Sequence, residues 1–132
     1  MPSMIFVNLP IENLTRSVDF FTGLGFTFNP QFTGEDSTCM IVTESIYVML
    51  VEQPKFRSFI DKEIAPRDTA EAIFSFACAS RDEVNELAEK AFALGARRVN
   101  DPQDMGFMYS WAFEDLDGHL WDLFWMDPAH VN

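Results

Sequence analysis

The sequence predicts an α+β fold. Two βαβββ modules are expected to form a curved, partly open mixed sheet, a half-barrel, with helices on the convex side and a cleft on the concave side. Three observations carry this. The chain reads twice as strand, helix ending in Leu-Gly, then three strands, and Leu24-Gly25 and Leu94-Gly95 stand 70 residues apart (95 − 25). The closing strands, Ile46–Leu50 and His119–Leu123, keep nearly that spacing, at 73 (119 − 46). Asp117-Gly118 sits between two strand-like runs and signals a hairpin, because Asp-Gly supplies the positive φ angles of a two-residue turn. Neither half has strands enough to stand alone, so the halves are expected to pair.

Each element has a local reason. Met4–Leu9 is β-branched and aromatic and stops at Pro10, as a strand would. Asn13 can cap a helix whose apolar face is Leu14, Ser17, Val18, Phe21 and Leu24. Gly25 closes it. Phe26–Phe32, Thr38–Thr43 and Ser45–Val51 read as three strands, the first two separated by a turn at Gly34-Glu35-Asp36. Ala72–Ala79 opens the second half. Ser80 and Glu83 form a capping box for a helix with the stripe Val84, Leu87, Ala88, Ala91 and Phe92. Gly95 ends it, Arg97–Asn100 is a short strand, Gln103–Gly106 a turn, and Tyr109–Glu114 and Leu120–Met126 are the last strands. Pro128–Asn132 is a tail that contains His130.

The whole chain, 1–132, reads as a single domain: module one over about 4–52, a linker over about 53–70 and module two over about 71–127. Pro54, Pro66 and mixed charge break any period in the linker. It holds four of the nine bases, Lys55, Arg57, Lys62 and Arg67, with a short helix expected over Phe56–Ile60. A connection of this length is expected to be functional or mobile and to cover part of the cleft.

The net charge of −12 argues against nonspecific nucleic-acid or anionic-membrane binding. It reports solubility first, and it also suits a pocket for cationic ligands. No apolar run reaches the ~20 residues of a membrane span, and no basic region leads into a long apolar stretch at the start. Cys39 and Cys78 lie in apolar segments and fit buried thiols better than a disulfide. A cytoplasmic protein is expected.

Asp122 is the residue to explain. It interrupts the apolar run Leu120–Met126, sharing a face with Leu120 and Phe124 while Trp121, Leu123 and Trp125 take the other. A buried carboxylate needs a partner, a wet surface or a proton. A base such as Arg57, or the Tyr47 hydroxyl, could pair with it. Alternatively it binds a ligand or, with a raised pKa, moves a proton.

The doubled pattern, with VNLPIENLTRSVDFFTGLGF at Val7–Phe26 and FEDLDGHLWDLFW at Phe113–Trp125, resembles the vicinal oxygen chelate superfamily. That group includes glyoxalase I, bleomycin-resistance proteins, fosfomycin-resistance enzymes and extradiol dioxygenases. The likeness is strongest to its predicted lactoylglutathione lyase, or glyoxalase-like, branch. In metal-using members four ligands, usually His and Glu, lie on the first and last strand of each half. Here those positions fall on Phe6 (with Asn8 the nearest polar alternative), Met49, Phe74 (with Phe76 its neighbour) and Asp122. One donor of four survives, so no cofactor is expected. A Zn, Ni or Mn ion would have to rest on Asp122, Asn8 and a group from a partner subunit.

The resemblance therefore implies a homodimer that binds a small cationic or aromatic molecule in an apolar cleft. Phe6, Asn8, Tyr47, Met49, Phe74, Phe76, Tyr109, Trp111, Asp122 and Phe124 are the expected liners, with Asp122 the candidate catalytic group. Two other readings stay open: a divalent-metal lyase or isomerase of the lactoylglutathione lyase type, and an interaction module whose cleft is filled by its own rings. His119 follows the turn and is expected to be exposed, facing away from Asp122. Glu114, Asp115 and Asp117 are expected to be solvated turn residues. Relatives often show His-Gly-Phe where Met105-Gly106-Phe107 stands here.

Overall fold

The computed structural model describes residues 1–130. Residues 131–132 of the expected tail and the side chain of His130 lie outside what is described. The chain is α+β and divides into two compact units, Met1–Ile64 and Ala65–Asn132, with the boundary inside the segment read as a linker. Each unit builds its own open, mixed sheet.

Unit one runs β1 (Ile5–Ile11), α1 (Leu14–Gly23), β2 (Thr27–Phe28), a 3-10 turn (Pro30–Phe32), β3 (Ser37–Thr43), β4 (Ile46–Glu52) and α2 (Gln53–Ser58). The strand order is β1-β4-β3-β2, with β1 parallel to β4 and the other pairs antiparallel. Asn13 caps α1 by accepting from the Arg16 N–H at 2.9 Å. Glu52, at the end of β4, accepts from the Leu14 N–H at 2.9 Å and ties that strand to the start of α1. Burial along the sheet alternates. Leu9, Ile11, Met40, Val48 and Leu50 share one face and are buried, as are Phe20, Phe21 and Leu24 in and just after α1.

Three expectations change here. β1 does not stop at Pro10 but continues to Ile11, because β1 is the edge strand of this sheet, where a proline is tolerated. The strand over Phe26–Phe32 shrinks to β2, because Pro30 lacks an N–H to continue the ladder and starts a 3-10 turn capped by Asn29. The short helix begins at Gln53 rather than Phe56. Pro54 falls in its first turn, where a missing N–H costs nothing.

Unit two runs β5 (Ile73–Ala77), α3 (Arg81–Ala93), β6 (Arg97–Arg98), β7 (Gln103–Asp104), β8 (Met108–Glu114), β9 (Leu120–Met126) and a closing 3-10 turn (Pro128–His130). The order β5-β9-β8-β6 repeats that of unit one, with β7 added along β8 where a turn was expected to begin. Ser80 accepts from the Glu83 N–H at 3.1 Å, and the Glu83 carboxylate accepts from the Ala79 N–H at 2.8 Å.

The β8–β9 connection is not the expected two-residue turn. The Gly118 N–H donates to the Asp115 carbonyl at 3.2 Å, the Asp115 N–H to the His119 carbonyl at 2.9 Å, and only Gly118 has positive φ, at 90°. That is the longer hairpin pattern, a turn followed by one left-handed residue. Asp115 organises it. The residue is 4 % exposed, against the expectation of solvation, and its carboxylate accepts from the Asp117 N–H (2.9 Å), the His119 N–H (3.0 Å) and Trp121 Nε1–H (2.8 Å). Glu114 is not solvated either. It is covered by ion pairs to Arg97 at 3.0 Å and Arg67 at 3.6 Å, and Arg97 holds its carboxyl below the usual range.

Candidate functional site

The register of unit two sorts the expected liners onto two faces. Phe74 pairs with Trp121, Phe76 with Leu123, Trp111 with Leu123 and Tyr109 with Trp125. These residues form the face that α3 covers. Phe74 and Phe76 lie against the buried Trp121 ring at 5.1 and 5.2 Å, Trp111 packs on Phe92 at 5.3 Å, and the Tyr109 hydroxyl donates to Asn85 at 2.6 Å. Phe74, Phe76, Tyr109 and Trp111 therefore do not share a face with Asp122, contrary to expectation. The physical reason is parity. Moving one residue along a strand reverses the face, and the apolar helix-facing rings resemble cleft liners in composition.

The other face carries Ile73, Ser75 and Ala77 beside Leu120, Asp122 and Phe124. Asp122 and Phe124 do lie together, as expected. The Asp122 partner is Ser75, whose hydroxyl donates to Oδ2 at a long 3.4 Å. The two partners considered for it are engaged within unit one: the Tyr47 hydroxyl donates to the Glu44 carbonyl at 2.7 Å, and Arg57 to Gln53 at 3.3 Å. Partial burial raises the Asp122 carboxyl above its ordinary value, and the Ser75 hydrogen bond opposes this. A half-buried carboxylate with one weak donor still has lone pairs for a ligand's N–H or O–H.

In unit one Phe6 pairs with Tyr47 and Asn8 with Met49, all on one face. Phe6 is 43 % exposed and stacks on the half-buried Tyr47 ring at 4.8 Å with 14° between planes. Four expected liners thus sit together. Farther along the same face Cys39 and Val51 are buried.

These registers also correct the donor positions. Asn8 and Ser75 each stand six residues ahead of the first residue of the next helix (14 − 8 and 81 − 75). Asn8 pairs with Met49 as Ser75 pairs with Asp122. Ser75, not Phe74, therefore shares the Asp122 face and is the repeat counterpart of Asn8, while Phe6 lies on the Asn8 face two residues earlier. The donors are an amide, a thioether, a hydroxyl and one carboxylate. Among the described residues no three His, Cys, Asp or Glu side chains converge. Cys78 is half-buried and its thiol is pushed up to about 11, mainly by burial, so it stays protonated. This set does not fit a divalent transition-metal centre, which takes three or more imidazole, thiolate or carboxylate ligands.

Ser75 and Asp115 are the two important residues the sequence reading missed. The register of β5 against β9 was the missing signal for Ser75. For Asp115 a signal existed: an Asp just ahead of Asp-Gly can fold its carboxylate onto the turn's N–H groups, and a core Trp needs an acceptor.

Comparison with known proteins gives the relationship. No curated protein matches the sequence. A hypothetical protein from S. aureus superposes with a TM-score of 0.81 at 25 % identity over 94 % of both chains. A glyoxalase-related enzyme from Fulvimarina pelagi gives 0.81 at 16 % identity, over 95 % of this chain and 88 % of that one. The genomically encoded fosfomycin resistance protein FosX from Listeria monocytogenes gives 0.67 at 17 %, over 94 % and 90 %. The last two likenesses are of fold. The model of the Glyoxalase/Bleomycin resistance protein/Dioxygenase superfamily matches residues 4–123, and the chain belongs to that superfamily.

Proposed function

We propose that this protein binds a small molecule on the open face of its second sheet, with Asp122 as the polar anchor, and does so without a catalytic metal. The observation that carries the reading is the Asp122–Ser75 pair: a partly desolvated carboxylate, weakly partnered, standing where the superfamily's metal users place ligands but with no comparable donors beside it. Phe124 on the same face offers a ring to a flat ligand. A cationic or N–H-bearing aromatic molecule matches a carboxylate set beside a ring. The aromatic pair Phe6–Tyr47 gives unit one a comparable apolar surface. The proposed protein is a cytoplasmic homodimer. Among the described residues no helix is long and apolar enough to cross a membrane.

Two measurements test it. Purified protein is dialysed and analysed for metals, then screened by thermal shift against benzamidine and related cationic aromatics. Retained stoichiometric Zn, Ni or Mn that disappears in Asp122→Ala would overturn the metal-free reading in favour of a lyase or isomerase. Stabilisation by benzamidine that is lost in Asp122→Asn supports it. Sedimentation gives the oligomeric state.

A further inference from the structure

The second unit holds a cavity of about 570 Å³ that neither Asp122 nor the donor positions line. Its size is that of a small-molecule site. One wall is the end of the sheet, with Arg97, Val99, Glu114 and Leu120, and the other is the segment at Arg67–Ala70. That segment, the last part of what reads as a linker, is fastened to the hairpin. Arg67 donates to the Leu116 carbonyl at 2.6 Å, and a Cβ on Gly118 would come within 2.7 Å of the Arg67 side chain. Thr69 closes a turn on the Pro66 carbonyl through both its N–H (3.0 Å) and its hydroxyl (2.6 Å). The cavity wall is therefore held in place rather than loosely draped.

We propose that this cavity takes a small organic acid, the two guanidinium groups receiving its carboxylate or phosphate and Val99 and Leu120 its apolar part. The chemistry lies in how the charges are layered. Arg67 and Arg97 converge on one carboxylate, Glu114, whose side chain is only 13 % exposed, while theirs are 57 % and 62 % exposed. The carboxylate sits behind and the guanidinium groups face out. Each guanidinium has five N–H donors. Arg97 gives one to Glu114 and one to the Arg98 carbonyl, and Arg67 bonds Leu116 and pairs with Glu114. Donors remain on both, in a fork suited to an oxyanion. Asp68 also lines the space, and its charge opposes an anion. The lining sets Arg67 and Arg97 against Glu114 and Asp68, so it is formally neutral in a chain of net charge −12, with the guanidinium groups the more exposed charges of the Glu114 cluster.

The cavity lies on the same sheet face as Asp122, two residues along β9 at Leu120, but Asp122 does not line it, and the test keeps the two apart. Backbone amide spectra are followed as benzoate or phenyl phosphate is added. Saturable shifts centred on Val99 and Leu120 are expected. Arg97→Gln and Arg67→Gln, each of which leaves Glu114 one guanidinium, should weaken binding about fivefold or more. Asp68→Asn should tighten it, and Asp122→Asn should leave it unchanged. If the arginine variants lose their fold, Asp68→Asn decides: tighter benzoate binding supports the site, unchanged or weaker binding overturns it. No saturable shift at millimolar probe, or shifts centred on Asp122, would also overturn it.

Discussion

The two units share one topology and differ in chemistry. Unit one buries an aliphatic sheet face, Leu9, Ile11, Met40, Val48 and Leu50, and its opposite face at Phe6, Asn8, Tyr47 and Met49 carries no charge. Unit two buries a largely aromatic face around Trp121, Phe74, Phe76, Trp111 and Phe113, and its opposite face carries Ser75, Asp122 and the Glu114–arginine cluster. The return turns differ in the same sense. In unit one Thr43 Oγ1 accepts from the Ser45 N–H at 3.2 Å in an exposed setting. In unit two a buried carboxylate holds three N–H donors. A repeated backbone plan therefore leaves side-chain chemistry free to concentrate in one copy, and here that copy is the second.

The hairpins give the sharpest way to break this comparison. Asp115→Ala strands the Trp121 indole N–H and two backbone N–H groups, and should cost about 3 kcal/mol or more in denaturant unfolding. Glu44→Ala, in the corresponding turn of unit one, should stay within about 0.5 kcal/mol, because Tyr47 uses the Glu44 main-chain carbonyl. Equal losses would mean that the two turns are alike in energy.

The face assignment comes next. Phe74→Ala removes a ring packed on the buried Trp121 and should cost about 2–3 kcal/mol. Phe6→Ala removes an exposed ring stacked on Tyr47 and should cost about 1 kcal/mol or less. The reverse order would put Phe74 on the open face after all. Gly118→Ala should cost about 1–2 kcal/mol, since the residue sits at φ 90° and its Cβ would meet Arg67. The same substitution at Gly25, with positive φ but no neighbour within 4 Å, should cost less.

The smallest effect is one of pH. Burial raises the folded-state Asp122 pKa above its unfolded value. Its favourable contribution is therefore complete below the unfolded pKa and is lost as pH rises through the folded one. Asp122→Asn, which does not titrate, should gain thermal stability relative to the parent as pH rises through the carboxylate range. A gap that shrinks with rising pH would mean that the carboxylate is well partnered in the folded state.

Much of the fold was legible because its signals are local. Asn13, Ser80, Gly25 and Gly95 act on their own backbone, and the 70-residue repeat needs no knowledge of packing. Alternation along β9 correctly separated Asp122 and Phe124 from Trp121 and Leu123. What failed was phase between strands. Nothing in Ile73–Ala77 states which of Phe74 and Ser75 meets Asp122, and the richer apolar residue looked like the cleft liner. Asn8 and Phe6 share a face, so there the choice was one of position along the strand and not of phase.

The sequence by itself determined the doubled α+β plan, the helix ends and the presence of one unusual carboxylate, because each follows from spacing or from a residue's own conformational limits. Tertiary structure decided which side chains share a face, that Asp115 is buried, and that Arg67 in a connecting segment meets Arg97 on Glu114. Those outcomes depend on register and on hydrogen bonds between distant residues, and no local window of the chain contains both partners.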